Sequence, residues 1–377
     1  MEKEVGSLIK RAKLKRCGSD TYPVLSMTMH EGLVFQNDRF KKQIASIDQS
    51  QYQVVYRHQL VESFPIDEGV LAVQELTEAG IVSPAYKIWD IDMNLVVPKY
   101  LEYALRAPRS IEYYKLKLRG TTARRRSISD FELCSMKIIC PSLDEQQRIV
   151  AIIEKVQKVI IHKQKEVTVL DNLIQARFVE MFGDPVSNSY GLPEATLPEL
   201  GEFGRGVSKH RPRNDPRLLD GEYPLVQTGD VANASLYIMS YNSTYSELGL
   251  KQSKMWSKGT LCITIAANIA KTAILEFDAC FPDSVVGFIA NEKTNNIFIH
   301  YWFSFFQAIL ESQAPESAQK NINLKILSEL KVIVPEKEKQ NEFVDFVHQT
   351  NKYKLKVKDS LKKLEILQKS LMQQYFG

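Results

Sequence analysis

The chain has no run of about 18 or more apolar residues, and a stretch such as "LCITIAANIA" at Leu261 is far too short to cross a bilayer. The opening "MEKEVGSLIKRAKLKRC" has no apolar segment ahead of a small-residue cleavage site, so no secretion signal is expected. Cysteine is scarce. Cys17, Cys134, Cys140, Cys262 and Cys280 form no CxxC pair, and their odd number leaves at least one unpaired in any disulfide scheme. A reducing cytoplasm is the expected setting. Cys134 and Cys140 fall in a segment that reads as buried strand, where a free thiol behaves as a small hydrophobe.

Catalytic patterns are missing as well. There is no G-x-x-x-x-G-K-[ST] phosphate loop, and Asp184-Pro185-Val186 and Asp215-Pro216-Arg217 fail the [DN]-P-P-[YFW] form of adenine and cytosine methyltransferases. Pro282-Asp283 lies far in sequence from Glu329 in the "ELK" stretch, so no nuclease site is expected. The six histidines have no zinc-ligand spacing. The reading is therefore of no catalytic residue, no metal and no cofactor in this chain. Formal net charge is only +4, too small to mark a nucleic-acid binder by bulk, so the distribution of charge matters more.

What is present is a repeat. Displacing the 377-residue chain by 194 positions aligns residues 125–183 with 319–377 without a gap. Identities include Ile128/Ile322, Leu133/Leu327, Pro141/Pro335, Gln146/Gln340, Leu170/Leu364 and the final Phe182-Gly183/Phe376-Gly377. Each copy opens with a short apolar stretch, "LCSMKIICP" or "LSELKVIVP", which reads as a strand stopped by proline. A helix follows. Ser142 and Glu145 fit a capping box at its first start, and acidic residues suit the second start.

Mostly apolar seam positions, with polar breaks that differ between the copies, then recur at alternating spacings of four and three. Ile149, Ile153, Val156, Ile160, Lys163, Val167, Leu170, Ile174 and Arg177 correspond to Phe343, Val347, Thr350, Lys354, Val357, Leu361, Leu364, Gln368 and Leu371. Such a seam over about four heptads predicts a rod of roughly 60 Å that buries a partner. The two rods are expected to pack on each other, antiparallel, through Ile153, Val156, Ile160, Val167 and Leu170 on one side and Val347, Val357, Leu361, Leu364 and Leu371 on the other. Gly183 and Gly377 are the expected helix stops.

The remaining segments mix short β-rich runs with a late helical patch and resemble each other weakly. "TYPVLSM" at Thr21 parallels "EYPLVQT" at Glu222, and "KYLEYALRAP" at Lys99 parallels "HYWFSFFQAI" at His300. The expected fold is α+β: a first globular domain at 1–126, a strand and long helix at 127–183, a second globular domain at 184–320, and a second strand and long helix at 321–377.

Residues 1–126 hold 20 Lys and Arg against 15 Asp and Glu, whereas 184–318 hold 10 against 15. Both segments nevertheless cluster their basic residues. The first has "KRAKLKR" at Lys10 and "ARRR" at Ala123; the second has "RGVSKHRPRNDPR" at Arg205. Arginine in loops suits phosphate oxygens and guanine edges through its planar fork. Long rods without enzyme motifs also fit a coiled-coil adaptor that binds only proteins.

The pattern "SISDFELCSMKIICPSLDEQQRIV", a long helix, "ARFVEMFGDP" and the later copy "NINLKILSELKVIVPEKEKQNEF" together resemble the specificity subunit of type I restriction-modification systems. The resemblance spans nearly the whole chain. It implies two target-recognition domains, each reading half of a split site in double-stranded DNA, with the helix pair as a ruler and as a dock for two methyltransferase subunits. Restriction subunits would join them, in a bacterial or archaeal cytoplasm, with no membrane. S-adenosylmethionine, ATP and Mg would belong to the partners. The expected DNA contacts are Lys13, Lys15, Arg16, Arg124 and Arg125, then Lys209, Arg211 and Arg213, with Thr228 in the "VQTGD" turn and Lys254 placed by the family pattern.

Overall fold

The repeated ends "FG" stop two helices of 40 residues each, Leu143–Phe182 and Lys337–Phe376. Gly183 and Gly377 take φ of 77° and 89°, and their N–H groups return to Val179 O (2.8 Å) and Gln373 O (3.0 Å). A left-handed residue there satisfies orphan carbonyls, which favours glycine. At the first start, Ser142 Oγ accepts from the Glu145 N–H at 3.4 Å. The computed structural model describes residues 1–29, 31–39, 49–118, 126–266, 268–313 and 322–377.

The stretches ahead of these helices differ from expectation. Instead of one strand, each copy forms a short helix, Asp130–Ser135 or Leu324–Glu329, and then a three-residue strand, Lys137–Ile139 or Lys331–Ile333. Cys134 and Glu329 are thus helical. The reason is capping: Ser129 Oγ accepts from the Glu132 N–H (3.2 Å) and Asn323 Oδ1 accepts from the Ile326 N–H (2.9 Å). Each strand pairs antiparallel with the strand that opens its own half, Glu2–Glu4 or Glu194–Thr196.

The chain divides into two units. The first comprises Met1–Lys165 with Lys358–Gly377, and the second Glu166–Val357, so each long helix contributes to both. In the first unit, Ile9–Arg11, Lys87–Ile91, Leu60–Glu62 and Leu71–Val73 form a four-stranded antiparallel sheet in that order. The helix Pro98–Arg106 packs Tyr100, Leu101 and Leu105 into one core with Trp89, Ile149, Ile153 and Phe376. Phe376 meets the Tyr100 ring at 5.1 Å between centroids.

In the second unit, a five-stranded sheet runs Gly201–Arg205, Val285–Ala290, Leu261–Thr264, Thr272–Leu275 and Tyr237–Ile238. A four-stranded sheet runs Ser243–Tyr245, Leu219–Leu225, Ala279–Cys280 and Met255–Trp256. The helix Asn296–Gln313 covers a core in which Phe178 lies 5.0 to 5.3 Å from the rings of Phe182, Phe298 and Phe343. Burying an aromatic of this kind contributes about 1.5–3 kcal/mol.

Within the first unit, Ile149 and Ile153 share a core with the far end of the second helix. Within the second unit, Ile174, Phe178 and Phe182 share one with Phe343 and Val347 near its start. The paired segments therefore run antiparallel inside each unit. Along the first seam Ile153 and Ile160 are buried and Val156, Val167 and Leu170 half-buried; along the second, Val347 and Val357 are buried and Leu361, Leu364 and Leu371 half-buried. Lys354, a polar seam position, is only 6% exposed and pairs with Asp171.

Candidate nucleic-acid interface

In the first unit the chain leaves the strand Ile9–Arg11 along a segment whose backbone is tied down on both sides. The Ala12 N–H donates to Ile88 O (3.0 Å), and Lys15 O accepts from the Val54 N–H (2.8 Å). This anchoring presents Lys13 and Arg16, with Arg11 and Gln51, around a groove of about 230 Å³. Lys13 and Arg16 are exposed and have no carboxylate partner among the described residues. Arg11 packs its guanidinium over Trp89 at 5.1 Å and faces Asp130 at 3.6 Å.

Lys15 is held differently. Its Nζ donates to Tyr56 Oη (3.1 Å) and Tyr22 Oη (3.3 Å), which push its pKa up to about 12, Tyr56 first. It is a charged group in a fixed place, with both tyrosine rings within 5.8 Å. Arg124 and Arg125 lie outside the described residues.

In the second unit the basic loop follows Gly206, which no larger residue could replace without displacing backbone. A Cβ there would stand 2.2 Å from Phe281 O and 2.5 Å from Pro282 O. The loop is also stitched to the segment before Trp256. Ser253 Oγ donates to Val207 O (2.8 Å) and the His210 N–H to Gln252 Oε1 (3.0 Å), which brings the Lys209 and Lys254 segments together. Lys209 is exposed. Lys254 lies 3.7 Å over the Trp256 ring and 2.7 Å from Glu202.

Arg213 and Thr228 line one groove of about 300 Å³ with Asn214, Gln227, Ser243 and Tyr245. Thr228 does not sit in a turn; it opens the helix Thr228–Asn233, because the Gln227 and Asp230 side chains cap it reciprocally. Arg211 and Arg213 both reach Asp283. Asp215 takes Arg217 and His210, whose hydrogen bonds, those from Arg217 first, hold its carboxyl far below the usual range.

The two grooves thus gather Lys13, Arg16, Arg213 and Thr228, while Lys15, Arg211 and Lys254 are engaged beside them. Sequence reasoning missed Gln51, Gln227, Ser243 and Asp283. Amide and hydroxyl side chains can read base edges, as arginine can, but Gln51 and Ser243 lie far along the chain from the basic clusters, and only the fold brings them to the grooves. Among the described residues, no group of three His, Cys, Asp or Glu could hold a metal ion, and no helix is long and apolar enough to cross a membrane.

Residues 194–366 match the family model described as the type I restriction modification DNA specificity domain. A curated protein of Methanocaldococcus jannaschii, described as the MjaX type I restriction enzyme specificity subunit, is 23% identical over 260 residues. That match covers 66% of this chain and 60% of the relative's length. A chain solved in work on complex assembly and conformational transition of the type I R-M system has a TM-score of 0.63 at 16% identity, covering 100% of this chain and 97% of that one. The type I restriction-modification S subunit from M. genitalium gives 0.57 at 15%, covering 100% and 96%. The likeness to these structures establishes the α+β fold.

Proposed function

We propose, on the premise that residues 194–366 belong to the type I restriction modification DNA specificity family, that this chain reads a bipartite target in double-stranded DNA, one half with each unit. The observation that carries the reading is the pair of grooves, each lined by basic and amide side chains: Lys13, Arg16 and Gln51 in one, Arg213 and Gln227 in the other, with Thr228 at the start of a helix beside them. Cations on phosphates position such a protein, and amides and hydroxyls on base edges specify the sequence. The domain limits 1–126 and 184–320 are the proposed reading heads.

The long helices set the unread spacer between half-sites, since their lengths are fixed by seams and not by a flexible linker. Their outer faces dock methyltransferase subunits, and restriction subunits join that complex in the cytoplasm. Ile152, Val159, Val169 and Leu173 on the first helix, and Leu355, Ile366 and Leu367 on the second, are exposed apolar residues that favour such partners. S-adenosylmethionine, ATP and Mg act on those partners, not here.

Mapping methylated adenines in cells that carry this chain and its cognate methyltransferase tests the reading. A split motif with a constant gap is expected. Deleting one heptad from each long helix shortens the rods by about 10 Å and should shorten the gap by about 3 base pairs with both half-sites unchanged. A continuous motif, or a gap indifferent to the deletion, would refute it.

A further inference from the structure

Pro282-Asp283 has no part in the reading above, yet Asp283 holds two of the cations expected to meet DNA. Arg211 Nη2 lies 3.4 Å from Asp283 Oδ2, and Arg213 pairs with Oδ1 of the same carboxylate. Arg211 also donates to Ser208 O (2.6 Å) and His210 O (2.8 Å), so its guanidinium is anchored on its own loop. The Gly206 N–H donates to Val285 O (2.9 Å), and the closeness of Gly206 to Phe281 and Pro282 locks the start of the basic loop beside the Asp283 turn. The arrangement is therefore built into the backbone.

The pattern extends beyond one pair. Lys254 is taken by Glu202 and Arg217 by Asp215, so Lys209 is the expected cationic contact of this unit that has no carboxylate among the described residues. Lys13 and Arg16 of the first unit have none either. Among the described residues, three of the four expected cations of the second unit, Arg211, Arg213 and Lys254, thus have carboxylate partners, while Lys13, Lys15 and Arg16 of the first have none.

A carboxylate shared by two arginines, one on each oxygen, presents anionic oxygens to them much as a phosphate does. We propose that Asp283 is a specificity-determining residue: it stands in for a DNA phosphate, occupying Arg211 and Arg213 until a matched half-site displaces it. This rests on the DNA reading proposed above. Non-specific binding draws almost all its free energy from phosphate neutralisation, so arginines that are already neutralised contribute little to it. A half-site that also engages Gln227, Thr228 and Ser243, in the groove that Arg213 lines, supplies the contacts that draw the arginines away. Pairs as exposed as these are weak enough to exchange.

The test is fluorescence anisotropy of the full chain on a random-sequence duplex, titrated with KCl. Asp283→Asn should bind about 3- to 10-fold more tightly than wild type, with a log–log salt slope steeper by about 0.9, one phosphate's worth. Asp283→Glu should behave as wild type. Glu342→Gln, which removes an equal charge from an exposed position of the second long helix, should also leave binding unchanged. Adding Arg213→Gln to Asp283→Asn should abolish the gain. If Asp283→Asn binds no more tightly than Glu342→Gln, the stand-in role is overturned and the DNA reading survives. If no form of the chain binds duplex at the lowest salt, both fall.

Discussion

Gln146 and Gln340, 194 positions apart, are both wholly buried and tie the start of a long helix to the same two places. Gln146 Nε2 donates to Pro141 O (2.9 Å) and Leu95 O (3.3 Å), while its Oε1 accepts from the Val97 N–H (2.8 Å). Gln340 Nε2 donates to Pro335 O (2.8 Å) and Lys293 O (3.0 Å), and its Oε1 accepts from Thr294 Oγ1 (3.0 Å). Each glutamine thus locks a long helix to the loop that precedes its unit's own packing helix.

Replacing either glutamine strands several buried polar groups at once. Gln340→Ala should destabilise the second unit, and Gln146→Ala the first, by about 2–4 kcal/mol in urea unfolding. Gln→Glu should be no milder, since a carboxylate cannot donate to the two carbonyls. A loss below about 0.5 kcal/mol would show that water replaces the amide.

The Lys354–Asp171 pair predicts an asymmetry. Lys354 is buried, whereas Asp171 has a side chain that is 52% exposed. Asp171→Ala leaves a buried ammonium whose remaining hydrogen-bond partner among the described residues is Ser235 Oγ at 3.3 Å, and should cost about 1–3 kcal/mol. Lys354→Met restores an apolar seam and should be neutral or stabilising. Thermal unfolding of the two variants separates the cases, and equal losses would contradict the account.

His300 predicts a pH dependence. Burial lowers its pKa to about 4; a hydrogen bond to the Thr272 backbone opposes that shift, and the charge of Lys354 adds to it. The folded value lies below the ordinary 6.5, so between these values the unfolded chain binds the additional proton. The stability this neutral ring contributes is complete above pH 6.5 and is lost as pH falls toward 4. The loss is on the order of 3 kcal/mol. His300→Gln should flatten the curve over that window; parallel curves for wild type and variant would remove His300 from the cause.

In DNA binding, Lys13→Ala and Arg16→Ala should weaken affinity for every duplex alike and reduce the salt slope by about 0.9 each. Gln51→Ala should leave the slope unchanged and alter which half-site is methylated. A slope indifferent to both cations would place the phosphates elsewhere on this unit.

Much of the architecture was legible because it rests on short-range rules. The heptad spacing from Ile149 to Arg177 states which face of a helix is buried, and Gly183 and Gly377 state where the helices end. The strand read through Cys134 was wrong for an equally local reason. The Ser129 cap, a Ser-x-x-Glu start, redirects the chain into a helix and outweighs the apolar alternation.

The candidate site was legible as basic clusters but not as a geometry. Whether Arg213 is available or engaged depends on Asp283, 70 residues away in sequence. The groove that Thr228 shares with Gln227 and Ser243 exists because Leu219–Leu225 pairs with Ser243–Tyr245.

The sequence by itself determined the duplication, the two rods, their stops and the places where positive charge gathers, since periodicity and capping act between near neighbours along the chain. Only the tertiary structure decided which cations are already paired, that Lys354 is buried against Asp171, and that the final Phe376 returns to the core built around Tyr100. Ion pairing and packing depend on which distant segments the sheets and helices bring within a few ångströms, and one-dimensional spacing does not encode that.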